Sequence, residues 1–287
     1  MEELTGRVAV VTGGASGIGR GMVDAFVAQG MKIVIGDVEQ GALDSAVSEL
    51  KNGGADVVGV ICDVSKQESV DALAKATLDA FGAAHVLCNN AGVAGSSTGQ
   101  SWNRPIEDWN WVMGVNMNGV LHGIRSFVPI MLEQGDEAHI VNTASIAGLV
   151  GGGGAYGVSK SACVAISESL FGELALAGPK LGVSVLCPGW VRTRILESER
   201  NRPEEPREVS EETTPLVAMM REAAKNAVEK GLDPREVGDI VVDAIKSRRF
   251  YVLTHQWQDM IAHHHANIIE GRDPVGMMPP GVELPGQ

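Results

Sequence analysis

Short, continuously apolar runs recur along the first 190 or so residues, and each is followed by a stretch with helical patterning. This alternation limits the fold more than any other feature. Residues 8–11, 32–36, 57–62, 86–88, 139–144 and 183–187 read as strands. Residues 20–29, 39–51, 67–81, 105–134 and 156–177 read as the helices between and after them. A strand covered on both faces has no polar side, so its side chains run apolar without a break. Strands of that kind joined by helices predict an α/β fold with a doubly wound parallel sheet. In the longest helix, Pro105 suits the first turn and Pro129 predicts a kink.

After Trp190 the pattern changes. Residues 197–212 are charged and hold Pro203 and Pro206, which predicts an exposed, mobile segment. Residues 215–230 and 234–246 read as helices, 250–254 as a last strand and 255–270 as a helix, before a tail rich in Pro and Gly. No internal repeat and no domain boundary is visible. One domain is expected, with a helical lid inserted at about 191–230 and a C-terminal helix and tail at about 255–287.

Charge and cysteine usage narrow the function. Asp and Glu outnumber Lys and Arg by 36 to 23, a formal net charge of −13. That argues against nucleic acid or an anionic membrane as the main partner. Cys62, Cys88, Cys163 and Cys187 form no CxxC pair and sit among apolar residues, which predicts reduced, buried thiols. The first residues carry no basic, apolar leader pattern, and no 18 apolar residues run together, so a cytoplasmic protein is expected.

Between the first strand and first helix lies Thr12-Gly-Gly-Ala-Ser-Gly-Ile-Gly19. Glycines in such a turn let the backbone approach a pyrophosphate, and the helix N-terminus favours its charge. Any tight strand-to-helix turn also uses glycine. Asp37 ends the second strand, where a carboxylate accepts hydrogen bonds from both ribose hydroxyls and repels a 2′-phosphate. A helix cap or turn is the lesser alternative reading. Asp63, after the third strand, is open to the same two readings. Neither Ser16 nor Val38 is basic, which favours NAD over NADP.

A second constellation lies at residues 145–160, where Ser145 ends a strand and Tyr156 and Lys160 stand four apart. That spacing puts the phenol and the ammonium on one helix face. With the Ser145 hydroxyl they make a proton-transfer site.

These motifs, with Asn89-Asn-Ala-Gly92, Val115-Asn-Met-Asn-Gly119 and Pro188-Gly189-Trp-Val-Arg-Thr193, resemble in order and context those of the short-chain dehydrogenases/reductases across about residues 5–195. The resemblance implies a Rossmann-type sheet of seven parallel strands flanked by helices. It implies Tyr156 as general acid/base, although a free phenol ionises only near pH 10. Lys160 would favour the ionised phenol and hold the nicotinamide ribose, Ser145 would orient the substrate oxygen, and Asn116 would support a water linking Lys160 to solvent. The cofactor, NAD, would rest on Gly13, Ser16, Gly17, Ile18 and Gly19 at the turn. Asp37, Val38, Cys62, Asp63 and Val64 would receive its adenosine. Asn90, Ala91, Gly92, Tyr156, Lys160, Pro188, Gly189, Val191 and Thr193 would complete the site. A secondary alcohol or its ketone is the implied substrate, and a dimer or tetramer built on helices 105–134 and 156–177 the implied assembly; Trp, Met, Leu and Val in the candidate walls favour a fairly apolar substrate. An NADPH-linked ketone reductase and a non-catalytic dinucleotide sensor on the same fold are the alternatives.

Several residues stay outside that scheme. The interval from Ser145 to Tyr156 is shorter than in many relatives, and its glycines 151–154 predict a more open pocket. Trp102, Trp109 and Trp111 suit packing better than a substrate contact; Trp190 stands beside the expected nicotinamide. Met219 and Met220 suit either a lid wall or helix packing. His263, His264 and His265 point about 100° apart on a helix and cannot converge on a metal.

Overall fold

Burial on both faces marks the central strands of the sheet, while the edge strands are partly exposed. In β1 (Val8–Thr12), Val8 and Val10 enter one core while Ala9 and Val11 enter the other, all at most 2% exposed. This computed structural model describes residues 1–95, 100–177, 180–203 and 215–274. The other strands are β2 (Lys32–Asp37), β3 (Val57–Ile61), β4 (Val86–Asn89), β5 (Ala138–Thr143), β6 (Leu181–Cys187) and β7 (Tyr251–Leu253). They form one sheet in the order β3-β2-β1-β4-β5-β6-β7, with every neighbouring pair parallel. The architecture is the expected Rossmann-type α/β sheet of seven strands.

The helices are α1 (Gly17–Ala28), α2 (Gln40–Asn52), α3 (Gln67–Phe81), α4 (Ile106–Met113), α5 (Gly119–Gln134), α6 (Gly154–Ala177), α7 (Pro215–Glu229), α8 (Pro234–Ser247) and α9 (Gln258–Ile269). Phe26 of α1, Leu43 of α2 and Val241 of α8 share the core on one face of the sheet. Leu73 of α3, Phe127 of α5 and Leu170 of α6 share the core on the other. α1 and α8 touch backbone to backbone: a Cβ on Gly21 would overlap the Pro234 carbonyl, and one on Gly238 would overlap the Gly21 carbonyl.

Three features depart from expectation. The long helix is interrupted at Gly114–Asn118 by a π-helical turn, and Pro129 lies within α5. α1 begins inside the glycine turn at Gly17, earlier than periodicity indicates. The described part of the charged segment is ordered: Ile195–Asn201 forms a 3₁₀ helix with Ser198 buried, since its polar groups find partners across the molecule. The remainder of that segment, 204–214, and the tail from 275 lie outside the described residues.

His139 sits in the sheet at 1% exposure. Ser184 Oγ donates to the Arg249 carbonyl (2.5 Å), so the 2.7 Å contact with His139 Nε2 is an N–H donated by a neutral ring. Burial pushes this imidazole down to about 3. The unfolded chain takes up that proton near pH 6.5 and the folded chain does not. The contribution is therefore intact above pH 6.5 and is lost progressively as pH falls toward 3.

Two outcomes follow. Denaturant midpoints should fall from pH 6.5 to 5, and His139→Gln should flatten that slope. Gly238→Ala should destabilise the fold by roughly 1–3 kcal/mol through overpacking against α1, measured by urea unfolding.

Candidate active site

The sheet order reverses between β1 and β4, and a crevice opens beyond the carboxyl ends of strands at such a point. Thr12 and Asn90 fasten its floor. Thr12 Oγ1 accepts from Asn90 N (3.0 Å) and Ala91 N (3.2 Å) and reaches the Cys88 carbonyl at 3.3 Å. Asn90 Nδ2 donates back to the Thr12 carbonyl at 3.0 Å. The glycine turn is set against this floor. Gly13 has φ +62°, Gly17 has φ +52°, and a Cβ on Gly19 would overlap the Gly13 carbonyl. Gly19 does not border the cleft; its role is to let α1 close onto the turn.

The cleft has a volume of about 400 Å³. All the expected cofactor residues other than Gly19 line it, from Gly13, Ser16, Gly17 and Ile18 through Asp37, Val38, Cys62, Asp63 and Val64 to Asn90, Ala91 and Gly92. Pro188, Gly189, Val191 and Thr193 form the opposite side, with Thr193 against Gly17. Asp37 serves both readings left open by the sequence. It lines the cleft, and its carboxylate also accepts from Ala15 N and Glu39 N, each at 3.0 Å, tying the glycine turn to the end of β2. Burial raises its pKa against these bonds. Asp63 likewise lines the cleft while accepting from Ser65 N and Oγ at 3.1 and 2.6 Å. Burial pushes its carboxyl up, but the Ser65 and Lys66 contacts outweigh that and hold it below the ordinary range.

Ser145, Tyr156 and Lys160 meet at the other end of the cleft. Ser145 caps the 3₁₀ turn Ile146–Gly148, its Oγ accepting from Ala147 N at 3.2 Å, which leaves the hydroxyl proton for another acceptor. Lys160 is 4% exposed and donates from Nζ to the Thr143 carbonyl at 2.9 Å, with Nζ 5.7 Å from the Tyr156 ring centre. β5 thus aims the ammonium and α6 places the phenol one turn earlier.

Asn116 lies behind them at 0% exposure and does not border the cleft. Its Oδ1 accepts from Val93 N (2.8 Å), and its Nδ2 donates to the Val93 carbonyl (2.9 Å) and Ser159 Oγ (3.0 Å). These bonds staple the π-helical turn to the loop after β4 and to α6. A Cβ on Gly92 would stand 3.3 Å from both Asn116 Oδ1 and Lys160 Nζ, so this backbone threads between them.

Other side chains divide. Trp111 lines the cleft, Trp109 packs beside Val93 and Val112, and Trp102 is 85% exposed. Trp190 lines the cleft, and Met219 lines a second, shallower depression beyond it. Residues 148–155 do not border the cleft. Gly152 N donates to the Ala147 carbonyl at 2.8 Å and Gly157 closes on Gly152, so the glycine loop folds tightly against α6. His264 stacks near His265 and borders Gly151. Sequence reasoning passed over Glu39, Ser198, Arg200 and Asn201, which line the cleft from the end of β2 and from a segment with no periodic signal. Part of the loop after β4, residues 96–99, lies outside the described residues.

Residues 7–204 match the family model for short chain dehydrogenase. The chain belongs to the short-chain dehydrogenase family. A short-chain dehydrogenase/reductase from Burkholderia phymatum, solved in complex with NAD, is similar at 43% identity and a TM-score of 0.91, covering 99% of this chain and 100% of that one. A C alpha-dehydrogenase of a Sphingobium strain is 31% identical over 98% of this chain and 91% of its own length. A 1-deoxy-11-beta-hydroxypentalenate dehydrogenase of Streptomyces arenae is 36% identical over 87% of this chain and 82% of its own.

Asn116→Ala should cost roughly 3 kcal/mol, because it orphans buried partners on Val93 and Ser159. Asn118→Ala, at a half-buried neighbour with no such staple, should cost under about 1 kcal/mol. Urea unfolding of the two variants separates them.

Proposed function

We propose that this protein is an NAD-dependent dehydrogenase of a secondary alcohol, or a reductase of the corresponding ketone, with Tyr156 as the general acid/base. The observation that carries the reading is the meeting of Ser145, Tyr156 and Lys160 at one end of a cleft whose other end holds Asp37. The cleft suits a dinucleotide. Asp37 offers a carboxylate to ribose hydroxyls, and the glycine turn leaves no side chain in the way of a pyrophosphate. Bound NAD would supply the hydride acceptor through its nicotinamide ring.

The chain's own residues handle the proton and the orientation. The Tyr156 phenolate takes the hydroxyl proton of the alcohol, or the phenol returns it to a ketone oxygen. The Lys160 ammonium, fixed on the Thr143 carbonyl, stabilises that phenolate. Ser145 Oγ holds its acceptor side to Ala147 N and gives its proton to the substrate oxygen. Asn116 keeps Val93 and Ser159 in register beside Lys160 and would support a water that links the ammonium to solvent. Val93, Trp111, Ile146, Trp190 and Val228 supply the walls, which favours an apolar substrate. Of the expected lid at about 191–230, residues 191–203 and 215–230 are described, and Val191, Thr193, Ile195, Ser198 and Val228 among them line the cleft.

The NADPH-linked alternative is disfavoured by charge. The two arginines near Asp37 are engaged by carboxylates, Arg194 by Glu197 and Arg200 by Glu39, each at 2.7 Å. Assembly as a dimer or tetramer is supported by apolar side chains left exposed on α5 and α6, including Leu121, Val158, Phe171 and Leu176. A cytoplasmic location accords with four free, buried thiols and with a helix set in which, among the described residues, none is long and apolar enough to cross a membrane.

Tyr156→Phe should lower kcat at least about 10³-fold while NADH still binds, read by absorbance and by NADH fluorescence. Retained turnover would overturn the acid/base assignment. Initial rates on a panel of apolar secondary alcohols should favour NAD over NADP, and Asp37→Ala should narrow that preference.

A further inference from the structure

The segment after Thr193 lies across the mouth of the cleft and is fastened on both sides of the strand-order reversal. On the β2 side, Arg200 donates from Nε (3.0 Å) and Nη2 (2.7 Å) to Glu39 Oε1, and Asn201 Nδ2 donates to the same oxygen at 3.0 Å. Arg200 Nη1 donates to the carbonyls of Arg194 and Glu197 at 3.1 and 3.0 Å, so its guanidinium also holds the 3₁₀ turn together. On the β4 side, Ala94 N donates to Ser198 Oγ at 3.0 Å, and Arg202 pairs with Asp108 at 2.7 Å while lying 4.5 Å over the Trp111 ring. Ser198, Arg200 and Asn201 line the same cleft as Asp37 and Val38.

We infer that Glu39 is a cofactor-retaining residue: through Arg200 and Asn201 it clasps the 195–201 turn over the adenosine half of the cleft, so that NADH leaves only when this clasp opens. Three considerations support it. Glu39 gathers three donor contacts on one oxygen, two of them charge-assisted bonds from a single guanidinium. Its partners are 161 and 162 residues away in sequence, so the bonds serve no local turn or cap. The bridge joins elements on opposite sides of the crevice that the dinucleotide would span. Burial pushes the Glu39 carboxyl up, but the bonds from Arg200 and Asn201 outweigh that and keep it ionised below the ordinary range. Glu39 acts here as a positioning residue, through the clasp and without reaching the reacting atoms.

The inference rests on the NAD site and not on the substrate or on Tyr156, so it is read without turnover. NADH is bound to the full chain, chased with excess NAD, and its release followed by stopped-flow fluorescence. Glu39→Gln and Arg200→Ala should each speed release about tenfold, the order expected for losing a hydrogen-bonded charge pair. The double variant should release NADH much more slowly than the product of the two single effects, because both changes remove the same ion pair. Asn201→Ala should speed release about threefold. Added salt should quicken release from the parent protein and leave Glu39→Gln unchanged. Release rates within twofold of the parent in folded Glu39→Gln would overturn the inference, and so would effects that multiply in the double variant.

Discussion

The stitching of Thr12 to Asn90 at the reversal of strand order is the interaction on which the rest depends. β1 and β4 are hydrogen-bonded neighbours, yet the chain leaves them toward opposite faces of the sheet. The crevice between those exits exists only while the two strand ends stay together. Thr12 Oγ1 and Asn90 Nδ2 provide reciprocal bonds there, and Gly13 packs directly on Ala91 so that the turn can lie across the floor. Hydrogen bonds of this kind contribute about 1 kcal/mol each, but their larger effect is geometric. They fix where α1 begins and therefore where an anion can be held.

The proton-handling end is built by different means. Lys160 is nearly inaccessible, and its charge is tolerated because the Thr143 carbonyl accepts from it at the carboxyl end of β5. A buried ammonium without such a partner would lose its proton or expel the helix. α6 carries the lysine and the tyrosine on one face, so positioning one positions both. Asn116 then locks the loop after β4 against α6 by three buried bonds. The π-helical turn at Gly114–Asn118 is the local distortion that accompanies this, an extra residue accommodated in the helix so that the amide faces inward. Around the mouth, polar side chains replace apolar packing: the 195–203 segment is held by ion pairs and hydrogen bonds to both halves of the sheet. Such contacts are weaker than core packing and open at a lower cost, which suits a surface that must admit and release a ligand.

Much of the fold could be read from residue order alone, because a strand buried on both faces must be apolar throughout and a helix between parallel strands must be amphipathic. Val8 to Val11 and Ile33 to Gly36 obey that rule, and the sheet forms where such runs lie; β5 departs from it, burying His139 and Asn142 among its apolar residues. The site was legible to the same depth where spacing along one element decides geometry. Tyr156 and Lys160 share a helix face whatever surrounds them, and Thr12 to Gly19 lies between a strand and a helix.

What only the tertiary structure decided are the contacts between residues far apart in the chain. Glu39 reads as an ordinary first-turn glutamate and Arg200 as one more charge in a polar segment, until folding brings them to 2.7 Å. The motif at 115–119 favours Asn116 over its neighbour Asn118, but only folding shows what Asn116 holds, Val93 and Ser159. The glycines at 151–154 mark a loop, and only folding shows its backbone closing on Ala147 and α6. The sequence by itself determined the layers, the strand order's raw material and the chemistry available at 145–160, because these depend on periodicity and short-range spacing. The shape of the cleft mouth and the pairing of its charges depend on where chain segments more than a hundred residues apart come to rest, and that is settled only by packing.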